Sequence, residues 1–271
     1  MTPSRPAPEP SFASDRAEKM VAHLSEAIRQ GKLTVHYQPE LDAQTKQVIC
    51  VEALCRWHDD EFKQVSPDEF IPLAEAHHLI GELGQEILKQ VLRDLPQLLA
   101  RWPQVRVAVN VSSIELTRPE FARDFIAILQ SHNPALAQHL EIEITESIHH
   151  HDLGTVRQNL LDLKSLGMTV AIDDFGTGHS SLSILHSLPF DKIKMDKSFV
   201  DELHQPMVQA IVQAMIDLAN NFQRMVVMEG VETASQLETL MNMGAHATQG
   251  HFWSSPQSAA HMCTEFNRAL D

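Results

Sequence analysis

From residue 33 onward, short β-prone runs take turns with amphipathic segments, and this alternation narrows the available folds more than any other feature. Eight stretches read as strands: 33–38, 48–56, 105–112, 140–145, 169–173, 192–196, 225–229 and 247–250. Helix-spaced apolar residues lie between most of them, as in Ile87, Leu88, Val91, Leu92 and Leu95, or Val208, Ile211, Val212 and Met215. A first helix is expected near 16–30. Ser66-Pro67-Asp68-Glu69, Thr117-Arg118-Pro119-Glu120 and Thr233-Ala234-Ser235-Gln236 carry helix-start signals of the capping-box type. Gly167 reads as a helix stop. Eight strands alternating with helices over about 250 residues point to an α/β protein of the (β/α)8 barrel class. The competing fold, a doubly wound open sheet, lacks support because no dinucleotide-type glycine fingerprint occurs.

Polar residues interrupt these strands in a regular way. Leu140, Ile142 and Ile144 share one face, leaving Glu141 and Glu143 on the other. Val105, Val107 and Val109 leave Asn110 opposite, and Ile193 and Met195 leave Lys194 opposite. The polar face then points into the barrel, near the strand C-termini where barrel active sites lie. The run Val170-Ala171-Ile172 ends in Asp173-Asp174-Phe175-Gly176, followed by a hydroxyl-rich loop. A buried strand ending in two acids is costly unless a cation meets both carboxylates. Glu52, Asn110, Glu143, Asp173, Asp174 and Glu229 come from five strands, Asp173 and Asp174 from the same one, and are hard oxygen ligands suited to Mg²⁺ or Mn²⁺. Asp173 shared between two ions would give a two-metal phosphoesterase arrangement, with Lys194 orienting water or neutralising charge.

The totals restrict partners. Lys and Arg number 21 against 36 Asp and Glu, for a net charge of −15. Such a surface repels nucleic-acid polymers, while a small phosphorylated ligand remains compatible where metals and placed cations offset the local field. No apolar run is long enough to cross a membrane in this segment. Cys50, Cys55 and Cys263 show no zinc-like spacing and read as free thiols of a reducing compartment. Residues 1–13, with Pro3, Pro6, Pro8 and Pro10, read as a flexible tail or linker, and 14–271 as the catalytic domain.

The motifs, taken together, resemble the EAL domains, bacterial cyclic di-GMP phosphodiesterases. The resemblance rests on Glu52-Ala53-Leu54-Cys55-Arg56-Trp57, Tyr37-Gln38-Pro39, Phe70-Ile71-Pro72-Leu73-Ala74-Glu75, Val109-Asn110-Val111-Ser112, Glu143-Ile144-Thr145-Glu146-Ser147, Asp173 to Leu182, Lys194-Met195-Asp196, Glu229-Gly230-Val231-Glu232-Thr233 and Gln249-Gly250, in the family's order and spacing. It implies a modified TIM barrel whose first strand runs antiparallel to the rest, and hydrolysis of cyclic di-GMP to linear pGpG with two ions, Mg²⁺ or Mn²⁺. By resemblance, Glu52, Asn110, Glu143 and Asp173 bind one ion, and Asp173 and Asp174 hold the other with Glu229 nearby. Glu52, Lys194, Asp174 and Glu232 form the catalytic set, Glu232 and Gln249 completing its hydrogen bonds. Gln38, Arg56 and Gln249 contact substrate, and Glu146 braces the loop that begins at Phe175. A homodimer, a bacterial cytoplasmic location and a preceding sensory or cyclase-like domain are also implied.

The chain departs from the family pattern at Met228, expected to crowd the wall of the second ion, and at His179, His251 and Cys55. His149-His150-His151 reads as a solvated loop rather than a metal site, Trp57 as core, and Trp253 as the better candidate for stacking on a base. Two rival functions stay open: a receptor that binds cyclic di-GMP without hydrolysing it, and a barrel acting on another phosphoester.

Overall fold

The computed structural model describes residues 12–146, 148, 152–176 and 182–266. Nine strands form one sheet: β1 (Thr34–Asp42), β2 (Val48–Asp59), β3 (Lys63–Val65), β4 (Arg106–Asn110), β5 (Leu140–Thr145), β6 (Thr169–Phe175), β7 (Lys192–Met195), β8 (Met225–Met228) and β9 (Ala247–Gln249). Their order, β1-β9-β8-β7-β6-β5-β4-β2-β3 with β1 also paired to β2, closes eight of them into a barrel. β1 is antiparallel to both its neighbours, β2 and β9, while β2 and β4 to β9 pair in parallel. The fold is therefore the expected TIM-type barrel with an inverted first strand. β3 is an addition, a short antiparallel ribbon on the end of β2.

Helices α1 (Phe12–Arg29), α2 (Pro67–Ala76), α3 (Ile80–Arg101), α4 (Ser113–Leu116), α5 (Phe121–His132) and α6 (Leu153–Lys164) accompany the first six strands. α7 (Leu182–Ser187), α8 (Lys197–Asp201), α9 (Pro206–Phe222), α10 (Ala234–Met243) and α11 (Ala259–Glu265) accompany the rest. The expected stripe of α3 is buried as read: Ile87, Leu88, Val91, Leu92 and Leu95 all face the core. On α9 the buried face is Val208, Val212, Ile216 and Ala219, so Ile211, 43% exposed, falls outside it. Thr233 makes its capping box with Gln236. Ser66 precedes a Pro-started helix without a side-chain cap, and Thr117 closes α4 instead of opening α5, whose first residue is Phe121. The capping box here belongs to Ser112 and Glu115.

Alternation sorts the strand residues. Val107, Val109, Ile142, Ile144, Val170, Ile172, Ile193 and Val226 join the helix-facing hydrophobic core. The interior positions hold small side chains, Ala108, Ala171, Val227 and Ala247, together with buried charge. That charge is stacked in two layers. Toward the strand N-termini, Lys192 contacts Glu40 at 2.6 Å and Glu141 at 2.5 Å. Two residues further along the strand, on the same face, Lys194 is fully buried among the carboxylates of the site.

Candidate metal and catalytic centre

Lys194 Nζ lies 2.7 Å from Glu229, 2.9 Å from Glu143, 3.1 Å from Glu52 and 3.5 Å from Asp173. Asn110 donates to Glu52 Oε1 at 2.9 Å and Gln249 to Glu52 Oε2 at 2.8 Å. Two groups of carboxylates have oxygens mutually within 4.8 Å: Glu52, Glu143 and Asp173, and separately Asp173, Asp174 and Glu229. Asp173 belongs to both. The six residues read from strand ends thus converge at one end of the barrel interior, with Lys194 at their centre.

Local backbone explains how two consecutive acids serve one site. The β6–β7 register shifts between Ile172 and Phe175. Asp174 takes φ 53°, a left-handed conformation that Asp tolerates better than most residues. This bulge turns Asp174 toward the side Asp173 already faces. Gly176 follows at φ 101°, where a Cβ would collide with the Phe199 ring. Its N–H donates to Glu146 Oε2 at 3.1 Å. The loop's further residues, including His179, lie outside the described residues, as do His149, His150 and His151.

The electrostatics are those of an acid cluster short of positive charge. Burial pushes Glu229 up to about 8, with Lys194 opposing and Asp173 adding to the rise. Burial and the neighbouring Asp173 and Asp196 raise Asp174 to about 6. Glu143 rises well above the carboxylate range and Asp173 also rises, both chiefly through burial. Glu52 goes the other way: burial is outweighed by Lys194 and the hydrogen bonds from Gln249 and Asn110. Lys194 is lifted well above its ordinary value, burial notwithstanding, by Asp173, Glu143, Glu229 and Glu52. Among the described residues, Glu143 Oε2 is buried with no hydrogen-bond donor. An orphaned carboxylate oxygen inside a ring of hard ligands is what a divalent ion would satisfy.

A cleft opens above this layer, lined by Gln38, Glu52, Leu54, Asp173, Asp174, Lys197, Glu229, Gly230, Glu232, Gln249, Gly250 and His251, with a volume of about 310 Å³. Gln38 accepts from Gln249 at 3.3 Å and donates to Ser254 O at 3.1 Å. Arg56 is outside this lining, half-buried, its guanidinium donating to Cys55 O at 2.9 Å. Glu232 is at the rim, paired with Lys197 at 2.6 Å.

Two expectations are overturned by facing. Met228 is fully buried in the helix-side core, one residue out of phase with Val227, and does not crowd the acids. Trp253 is 5% exposed and donates to Thr248 Oγ1 at 3.0 Å, so it offers no face for stacking. Trp57 is core, as read. Lys197 was missed. Its position just after the Lys194-Met195-Asp196 motif was the available signal, but only the fold brings it to the cleft.

The EAL domain family model matches residues 21–256. The cyclic di-GMP phosphodiesterases PA2567 and NbdA of Pseudomonas aeruginosa are similar at 37% and 38% identity, over 90% and 93% of this chain. The chain spans 42% and 32% of the length of these two relatives. Among solved structures, the PaMucR phosphodiesterase in complex with c-di-GMP superposes with TM-score 0.82 at 33% identity, covering 90% of this chain and 99% of that one. The EAL enzyme Bd1971, in its cAMP-bound form, gives TM-score 0.86 at 27% identity, covering 94% of this chain and 71% of that one. Barrel, inverted strand and acid cluster define a TIM-type α/β domain with a candidate metal centre at one end of its interior. The chain belongs to the EAL family.

Proposed function

We propose that this domain hydrolyses one 3′–5′ phosphodiester bond of cyclic di-GMP, releasing linear pGpG, with two divalent ions, Mg²⁺ or Mn²⁺. The observation that carries this reading is the pair of carboxylate groups sharing Asp173, with a buried oxygen of Glu143 unsatisfied in the first of them. Charge supports it. Glu52, Glu143, Asp173, Glu229 and Asp174 set five carboxylates around the single ammonium of Lys194, leaving four negative charges that two divalent ions would cancel. The naming of PA2567 and NbdA as cyclic di-GMP phosphodiesterases supports the substrate.

In this reading Glu52, Asn110, Glu143 and Asp173 hold one ion, and Asp173, Asp174 and Glu229 the other. Such ions would supply Lewis-acid polarisation of the phosphate and lower the pKa of an attacking water. Lys194, immobilised by four carboxylates, keeps them at fixed spacing, offsets part of their charge and would help orient the attacking water. Gln249 and Asn110 fix the rotamer of Glu52. Gln38 presents an amide at the cleft wall, and Arg56 would have to leave Cys55 O to meet a phosphate. Residues 14–271 would form the working unit after a linker of 1–13, acting as a homodimer in the bacterial cytoplasm.

The test is nucleotide chromatography of cyclic di-GMP incubated with purified protein plus Mg²⁺, Mn²⁺ or chelator. Metal-dependent pGpG is expected, and Glu52→Ala should abolish it while the circular dichroism spectrum is unchanged. Full turnover in Glu52→Ala would refute the assignment. Binding of cyclic di-GMP without turnover by the wild type would make the domain a receptor.

A further inference from the structure

An anionic substrate approaching this cleft meets a wall of carboxylates, and the buried cation is already committed. Lys194 has no exposed surface and four acidic partners. Among the described residues lining the cleft, Lys197 is the one Lys or Arg. It is the first residue of α8, placed by the N-cap Asp196, whose side chain accepts from Ser198 N at 3.0 Å. Its stem crosses the backbone that follows β8. Gly230 there takes φ 72°, and a Cβ at 230 would collide with Lys197 Cβ and Cγ. Only a residue without a side chain lets the lysine run along this path to the rim. The ammonium then meets Glu232 at 2.6 Å, with both side chains about half exposed. An exposed pair of this kind holds weakly and exchanges readily.

We propose that Lys197 is the cation that receives a phosphodiester group of the substrate at the mouth of the cleft, with Glu232 as its resting partner. The inference rests on the phosphodiesterase reading and names the group that recruits the substrate's anionic linkage. Ions held by the acid layer would neutralise those acids. Lys197 supplies a mobile point charge above them, and substrate phosphate displaces the Glu232 carboxylate from it. Lys197 acts in binding, ahead of the chemistry at Lys194 and the acids.

The experiment compares wild type, Lys197→Met and Lys197→Arg in two readouts. One is KM and kcat for cyclic di-GMP with Mn²⁺. The other is the equilibrium Kd for cyclic di-GMP with Ca²⁺ in place of Mn²⁺, at low and high salt. Lys197→Met is expected to raise KM and Kd on the order of tenfold or more, with a smaller effect on kcat and a flatter salt dependence. Lys197→Arg is expected to recover most of the affinity. Mn²⁺ affinity and Tm should stay close to wild type in both variants, which separates recruitment from a merely structural role. Unchanged KM and Kd in Lys197→Met, or losses that follow Tm or Mn²⁺ affinity, overturn the inference. A wild type that binds without hydrolysing would sink the catalytic reading, while the Kd comparison still decides the role of Lys197. A wild type that neither binds nor hydrolyses overturns both.

Discussion

Asp174 combines a left-handed backbone, a raised carboxyl and a place beside Asp173, so it separates strain from chemistry within one residue. Non-Gly residues at such φ carry a cost of order 1–3 kcal/mol that the surroundings must over-determine, and Asn tolerates the conformation as well as Asp. Asp174→Asn is therefore expected to be at least as stable as wild type at pH 7 in the absence of metal, because it keeps the backbone and removes a carboxyl that burial and acidic neighbours raise, while taking one negative charge from beside Asp173. Affinity for the proposed second ion should fall at least about 100-fold, beyond what loss of an outer partner costs. Mn²⁺ titration calorimetry checks this, and an unchanged second-site affinity would remove Asp174 from the ligand set. The acids were legible at this scale because strand alternation and strand ends tell which way a side chain faces. The same rule places Met228 outward, so counting phase from Glu229 would have excused it from the site. Lys197 was not legible, since its path depends on Gly230, 33 positions along the chain and adjacent only in the fold.

Among the elements, strands were legible where apolar residues alternate and hidden where a strand buries charge. β1 runs on through Pro39, Glu40 and Leu41 to Asp42, four residues past the expected end, because Glu40 finds Lys192 across the barrel. Local signals can also be outvoted: Thr117 has the spacing of a cap, yet its hydroxyl donates to Ile114 O at 2.8 Å and ends α4. The box that does form, at Ser112 and Glu115, carries a titratable liability. Glu115 is buried against Gly84 of α3, and burial lifts its carboxyl to about 7, opposed by the Ser112 N–H and Arg118 and assisted by Glu75. Its folded pKa lies above the ordinary value of 4.5. The stability this proton confers is full below that value and is lost as pH rises through about 7. Glu115→Gln keeps an oxygen for Ser112 N and never ionises. The variant should gain about 1–3 kcal/mol over wild type at pH 8 and nearly nothing at pH 4.5. Urea melts at the two pH values test this; a gap that fails to widen with pH would show that Glu115 ionises freely in the folded protein.

At the scale of the whole molecule, the closed barrel encloses lysine-centred charge where most barrels pack branched apolar layers. Alternation in the sequence implied that polar residues point inward. Closure through an inverted β1 followed only from family resemblance, because strand direction leaves no trace in hydrophobic period. The two layers differ in kind. The upper is open to the cleft and short of cation. The lower is closed: Lys192 bridges Glu40 and Glu141, Thr169 donates to Glu141 Oε2 at 2.8 Å, and burial raises the Glu40 carboxyl, which favours its neutral form. A buried ion cluster contributes little net stability compared with apolar packing, but removing one partner strands the others. Lys192→Met should thus cost about 3–5 kcal/mol, read as a fall in the urea midpoint at pH 7. The triple change Lys192→Met, Glu40→Leu and Glu141→Met should return stability to within about 1–2 kcal/mol of wild type, because no uncompensated charge remains. If the triple variant were as unstable as the single one, the lower layer would be a net source of stability rather than a self-cancelling set. Its charges would then hold the barrel shut beneath the upper acid cluster.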